Sequence, residues 1–153
     1  MSDRMFAAAF VALLVMLSAT FAAAQQFGTA EEARAMLDRA VAALKADQAT
    51  ALREIRDGNN TQFRDRDLYV SCFNASDGKF TAFPSPGMIG LDIRKFKLSD
   101  DPIGQRAFDA IRGAPEGTVV TMEYKFPKDG KPALKQSLET RIGNQVCGVA
   151  YYK

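Results

Sequence analysis

Apolar residues recur at Ala33, Met36, Leu37, Ala40, Val41, Leu44, Ala51, Leu52 and Ile55, with mostly charged and polar residues between them. That spacing is helical. Thr29 and Glu32 stand three apart, the spacing at which hydroxyl and carboxylate each accept an orphan backbone N–H. Gly58 with Asn59 and Asn60 stops the pattern. One long helix over about 29–57 is predicted, roughly 40 Å at about 1.5 Å per residue. A small sheet needs less than that. The stripe therefore either packs wholly into the core or covers the sheet with one part and meets a second copy of itself with the other.

Beyond Gly58 the period falls to two. Leu68–Asn74 reads as a strand, Ala75-Ser76-Asp77-Gly78 as a turn, and Lys79–Phe83 as the returning strand before Pro84 and Pro86 end it. Ser85–Pro102 is punctuated by glycine and proline, with Met88, Ile89 and Leu91 as its inward anchors. Ile103–Arg112 is a short amphipathic helix closed by Gly113 and Pro115. Thr118–Phe126, Pro132–Ile142 and Gln145–Tyr152 are three further strands. They are joined by turns at Pro127-Lys128-Asp129-Gly130 and Gly143-Asn144. Helices segregated from a run of hairpin-linked strands indicate an α+β fold with an antiparallel sheet over about 67–152.

The first 24 residues read differently. Arg4 follows the free amine, Phe6–Leu17 is an unbroken apolar run, and Ala22-Ala23-Ala24 offers an A-x-A cleavage site. This is the pattern of a signal peptide over 1–24, leaving a mature domain over 25–153 that is periplasmic or secreted. The alternative is an uncleaved anchor, since Met5–Ala24 carries no charge and is long enough to span a bilayer.

Composition excludes more than it assigns. The chain has 153 residues, a net charge of +2, two cysteines and no histidine. One domain with a real core fits that length. A nearly neutral surface gives no electrostatic case for nucleic acid. The missing histidine removes the usual general base at neutral pH, the Ser-His and Cys-His dyads and the commonest metal ligand. No phosphate loop or G-x-S-x-G is present, and Asp100-Asp101 lacks calcium-loop spacing. The chain thus reads as a non-enzyme without cofactor or metal. Arg64-Asp65-Arg66-Asp67 reads as a solvated connection between helix and sheet.

The long helix, DLYVSCFN-x-x-DGKFTAFPSP, the loop ending near Gly90, EYKFP, the K-x-S of Lys135 and Ser137, and the terminal VCGVAYY together resemble an extracellular single Cache domain of the second type. The resemblance spans essentially the whole mature chain. It implies a PAS-like five-stranded antiparallel sheet, with the long helix along one face. The loop and short helix would enclose a small-ligand pocket over the other. Ligands of similar domains are often short carboxylic acids, and most relatives belong to chemoreceptors and sensor kinases. This chain ends at Lys153, directly after the last strand, and so reads as a stand-alone domain.

Residue by residue, the resemblance points to Tyr69, Ser71, Phe83, Met88, Tyr124, Phe126, Lys135 and Ser137 as ligand-binding. A buried carboxylate needs a compensating charge and donors, because desolvation otherwise costs several kcal/mol. Lys135 would supply the charge, the two tyrosines and two serines would donate, and Phe83, Phe126 and Met88 would enclose the aliphatic part. Two departures stand out: Phe83 occupies the position where many relatives carry a histidine, and Leu138 replaces an aromatic. PAS-like sheets set the first and last strands side by side, so Cys72 and Cys147 either form a disulfide in an oxidising compartment or remain small buried hydrophobes. The function expected is binding of a small organic acid, presented to a membrane sensor. The alternative is an interaction subunit that keeps the fold without a ligand and pairs through its long helix, as a homodimer or with another protein.

Overall fold

A computed structural model describes residues 25–153, so the expected signal peptide lies outside the described residues. Two helices replace the single one expected: α1, Ala30–Ala46, and α2, Gln48–Arg56. Thr29 and Glu32 form the capping box at the start of α1. The break falls at Asp47, whose backbone is extended and whose carboxylate accepts from the Thr50 N–H at 3.1 Å and its hydroxyl at 2.9 Å. A short carboxylate offers the backbone a local partner that a continuing helix does not, and so starts a new helix.

The sheet has six strands: β1, Arg64–Asp65; β2, Leu68–Asn74; β3, Phe80–Ala82; β4, Val119–Lys128; β5, Lys131–Ile142; and β6, Gln145–Tyr152. The order is β1-β2-β6-β5-β4, with β3 also on β2, and every pairing is antiparallel. Five of the six match the expected strands. The extra one, β1, arises where a solvated connection was expected. Arg66 takes φ 55° and folds Arg64 and Asp65 back onto Tyr69 and Leu68. Its guanidinium then pairs with Glu32 at 2.7 Å and donates to the Phe27 and Gln25 carbonyls, both at 3.3 Å. Arg66 thus ties the start of the domain to the sheet and is not a pocket residue.

The β4–β5 turn is narrower than the expected four residues. Asp129 and Gly130 both take positive φ, 50° and 76°, as a two-residue hairpin turn requires, so Pro127 and Pro132 are drawn into the ladder as partners.

Alternation sorts the strands onto two faces. Leu68, Val70, Cys72, Leu138, Cys147 and Val149 share a core with Ala33, Met36, Leu37, Ala40 and Leu44 of α1 and Ala51 and Ile55 of α2. Seven of the nine positions of the helical stripe are buried within one chain, and Val41 and Leu52 are partly buried. Over the opposite face lie the segment 84–102 and α3, Ile103–Arg112. Phe73, Phe80, Ile93, Ala107, Phe108, Ile111 and Val146 form the second core there. Leu91 is not the anchor expected. Backbone bonds from Phe80 to the Leu91 carbonyl and from Ile93 to the Gly78 carbonyl turn Ile93 inward and leave Leu91 53% exposed.

Cys72 and Cys147 are register partners in the β2–β6 ladder, with Cα atoms 4.1 Å apart, and their sulfurs are bonded. The bond closes a loop 75 residues long, and a loop of that size restricts the unfolded chain by about 2–4 kcal/mol. Replacing both cysteines by alanine should lower unfolding free energy by about that much. Urea titrations of wild type and variant, each with and without reductant, check it. A wild-type curve that reductant does not move would show that the bond contributes nothing.

Candidate functional site

Between the second sheet face and its cover lies a cavity of about 260 Å³. The sheet contributes its floor largely by alternation, with Phe80 of β3 and Val149 of β6 beside the alternating set. Tyr69 and Ser71 come from β2, Met122, Tyr124 and Phe126 from β4, Ser137 and Glu139 from β5, and Gly148 and Ala150 from β6. The roof is Phe83 and Met88 from the segment after β3, with Ile93, Phe96, Ile103, Gly104 and Ala107. Phe83 stands between two rings, 5.3 Å from Tyr69 and 5.4 Å from Phe80 by centroids. Tyr124 and Phe126 form a second edge-to-face pair at 6.4 Å. Offset and edge-on aromatic contacts of this kind are mildly attractive and hold the rings in place.

The roof is pinned from outside. Arg94 donates twice to the Asp92 carboxylate, at 2.8 and 2.7 Å, and once to the Asp77 carbonyl at 2.9 Å. It also lies 5.0 Å over the Phe108 ring of α3. The paired guanidinium holds the Asp92 carboxyl down at about 2. Gly104 lets α3 sit directly on the 93–95 turn: a Cβ there would meet the Ile93 carbonyl oxygen at 1.8 Å.

Seven of the eight expected ligand residues line this cavity: Tyr69, Ser71, Phe83, Met88, Tyr124, Phe126 and Ser137. Lys135 does not. It shares the cavity face of β5 and is 5% exposed, but its ammonium lies over the rings of Phe126, at 5.3 Å, and Tyr152, at 4.7 Å. Its ladder partner is Tyr124, which does line the cavity, so Lys135 packs against the ring of a lining residue, Phe126, without joining the lining itself. Burial pushes the ammonium down, with the Asp67 charge opposing.

The residue that sequence reasoning missed is Glu139. It stands two positions from Ser137 on the same face and is 9% exposed. Its one hydrogen-bond partner among the described residues is the Ser137 hydroxyl, which donates to Oε1 at 3.0 Å. Gly148 makes room for it. The two are register partners, and a Cβ at Gly148 would sit 2.9 Å from the Glu139 Cγ. Burial raises the carboxyl from 4.5 to about 7, and the Ser137 bond offsets only part of that. The phenols of Tyr69 and Tyr124 are also pushed up, chiefly by burial. The sequence carried little signal for it, since in Lys135–Arg141 both faces of the strand are polar apart from Leu138.

Three solved structures share this architecture. The chain is similar to a methyl-accepting chemotaxis protein from Vibrio parahaemolyticus, at 16% identity and TM-score 0.59 over 80% of this chain and 86% of that one. It is similar to the periplasmic sensor domain of a chemotaxis protein, at 18% identity and TM-score 0.55 over 80% and 88%. A Cache chemosensory domain described for carboxylic acid recognition gives 18% identity and TM-score 0.54 over 80% and 86%. No protein-family model and no curated protein matches the sequence. The fold, α+β with an antiparallel sheet, is the one that the Cache chemosensory domain has.

The raised Glu139 carboxyl makes stability depend on pH. Between about 4.5 and 7 the folded chain holds a proton that the unfolded chain has released. Stability therefore falls as pH rises through that window, by on the order of 3 kcal/mol when the penalty is complete. Glu139→Gln should remove that fall. Urea unfolding at pH 5 and pH 8 should show the wild type losing roughly 2–3 kcal/mol more than the variant. Parallel losses in the two proteins would assign the pH dependence to other groups.

Proposed function

We propose that this domain is an exported sensory module that binds a small organic molecule between its sheet and its cover. One observation carries the reading: behind Phe83 there is a cavity of about 260 Å³ lined by rings, methyl groups and a few polar atoms. That is the composition of a small-molecule site. A subunit that kept the fold only for pairing would gain by filling this space, because unfilled volume forfeits dispersion contacts. The three chemosensory neighbours support the sensory role, and a membrane sensor is the partner they suggest.

Export is supported by the pattern of Met1–Ala24 and by the Cys72–Cys147 bond, which persists in oxidising compartments. Among the described residues, no helix is long and apolar enough to cross a membrane. The site reads as one of binding without catalysis: its lining offers hydroxyls, phenols and one carboxyl, and the Ser137–Glu139 contact has no third group in the lining to orient it.

For the ligand, a short carboxylate was the sequence-level expectation, and the neighbour described for carboxylic acid recognition supports that class. The compensating charge expected from Lys135 lies outside the lining. What the lining itself supports is a small, mainly apolar molecule with one polar head.

Native mass spectrometry of the purified domain should show an organic mass that leaves on unfolding. After refolding free of that mass, a metabolite screen should yield compounds that raise Tm by several degrees, as mass action requires of anything that binds only the folded chain. Ala150→Phe, which fills the cavity from β6, should keep the circular dichroism spectrum and lose those shifts. No bound mass and no shift across the screen would favour the interaction subunit instead.

A further inference from the structure

Within the small-molecule reading just given, we propose that Glu139 makes the cavity a site for a small organic ammonium ion. The ammonium would pair with that carboxylate, and its carbon chain would lie against the rings of Tyr69, Phe83, Tyr124 and Phe126.

The argument is one of charge. The eighteen residues that line the cavity include one carboxylic acid, Glu139, and no lysine, arginine or histidine. Two bases flank Glu139 on its own face of β5, Arg141 two positions away and Lys135 four positions away with its ammonium over the Phe126 and Tyr152 rings, and neither lines the cavity. No salt bridge engages Glu139 among the described residues, and its one partner, the Ser137 hydroxyl, meets a single oxygen. Once Glu139 is ionised, a carboxylate ligand would bring a second negative charge beside it with no cation in the lining to compensate either, which burial penalises heavily. An ammonium ligand brings the missing charge. It donates to the carboxylate oxygens left free by Ser137, and charge-assisted bonds of that kind are the strong ones.

The rest of the lining favours the same class. Cations are attracted to aromatic faces, most strongly where water is excluded, and four rings approach the cavity from two sides in the pairs Tyr69–Phe83 and Tyr124–Phe126. Phe83 takes part in this lining as a ring with no charge of its own. Gly148 completes the device, since only a residue without Cβ leaves the Glu139 stem its place across β6. The buried acid is thus accommodated by its neighbouring strand and is not a surface group caught by chance.

Three four-carbon probes of similar length separate charge from shape: butylamine, butanol and butyrate, each titrated into ligand-free wild-type domain and followed by calorimetry and thermal shift. Butylamine should bind at least tenfold tighter than butanol, and butyrate should bind weakest. Glu139→Gln, which keeps size and the Ser137 contact, should bring butylamine to within a few-fold of butanol. A circular dichroism spectrum and a cooperative urea transition like those of the wild type report that the variant folds. Butyrate binding as tightly as butylamine, or an amine preference that survives Glu139→Gln, would overturn the inference and leave the small-molecule reading standing. If a broad metabolite screen also finds no ligand of any charge, both fail.

Discussion

The register of the β4–β5 and β5–β6 ladders sends Ser137 and Glu139 to one side of the sheet and Leu138 and Thr140 to the other. Side chains alternate with a period of two, so a slip of one residue would exchange the two sets. Leu138 would then leave the core it shares with α1, and Glu139 would face Met36 and Leu37, both essentially unexposed. Neither side tolerates the other's residues. The register is held by the Asp129-Gly130 turn at one end of β5 and the Gly143-Asn144 turn at the other, where Gly143 takes φ 59°. The helix face and the cavity face are consequences of the same ladder.

The two faces are closed in different ways. Under α1 and α2 the packing is continuous from Ala33 to Ile55. Over the cavity face the cover is a segment of turns and one ten-residue helix, α3. Its order comes from the smaller core of Ile93, Ala107, Phe108 and Ile111 and from polar pins at the rim: the Arg94–Asp92 pair, Arg106 on Asp101 at 2.8 Å, and backbone bonds at Gly78 and Gly104. A cover anchored at its edges can stay in place without filling the space beneath it. Its polar pins are partly exposed pairs worth little each, so this is the part of the domain with the least to lose by opening. A ligand could enter there without disturbing the sheet.

Elements whose residues answer to one period were legible in the chain. The capping box, the strands β2 and β4 to β6, their hairpin turns, and α3 with its Gly113 end are all local patterns, and each formed within a residue or two of its expected span. Failures came where a short polar side chain or a tertiary partner decided. Asp47 sits within a helical stripe, and only the cap it makes to Thr50 shows that the helix restarts there. Arg66 folds β1 back because Glu32, Asp65 and the Phe27 carbonyl await its guanidinium, and those partners are up to 39 residues away. At the site, the alternation of β5 placed Lys135, Ser137 and Glu139 on one face, but alternation does not say which of them line the cavity. Ser137 and Glu139 do, and Lys135 packs against the Phe126 ring instead.

Cavity and disulfide meet at one place in the sheet. Gly148, which gives Glu139 its space, is flanked by Cys147, and across the ladder Ser71 and Cys72 face the two in turn. The covalent link therefore joins β2 to β6 one residue away from the point where the lining is most costly. An unfilled space, a buried acid with a single hydrogen bond and a glycine in mid-strand each destabilise a sheet. Side chains cannot offset those terms from the cavity side without filling the cavity. A cross-link on the helix face can, because it restricts the unfolded chain and occupies none of the space a ligand needs. The same residue step that turns Gly148 towards the cavity turns Cys147 towards α1. One ladder position thus serves stability with its helix side and binding with its cavity side.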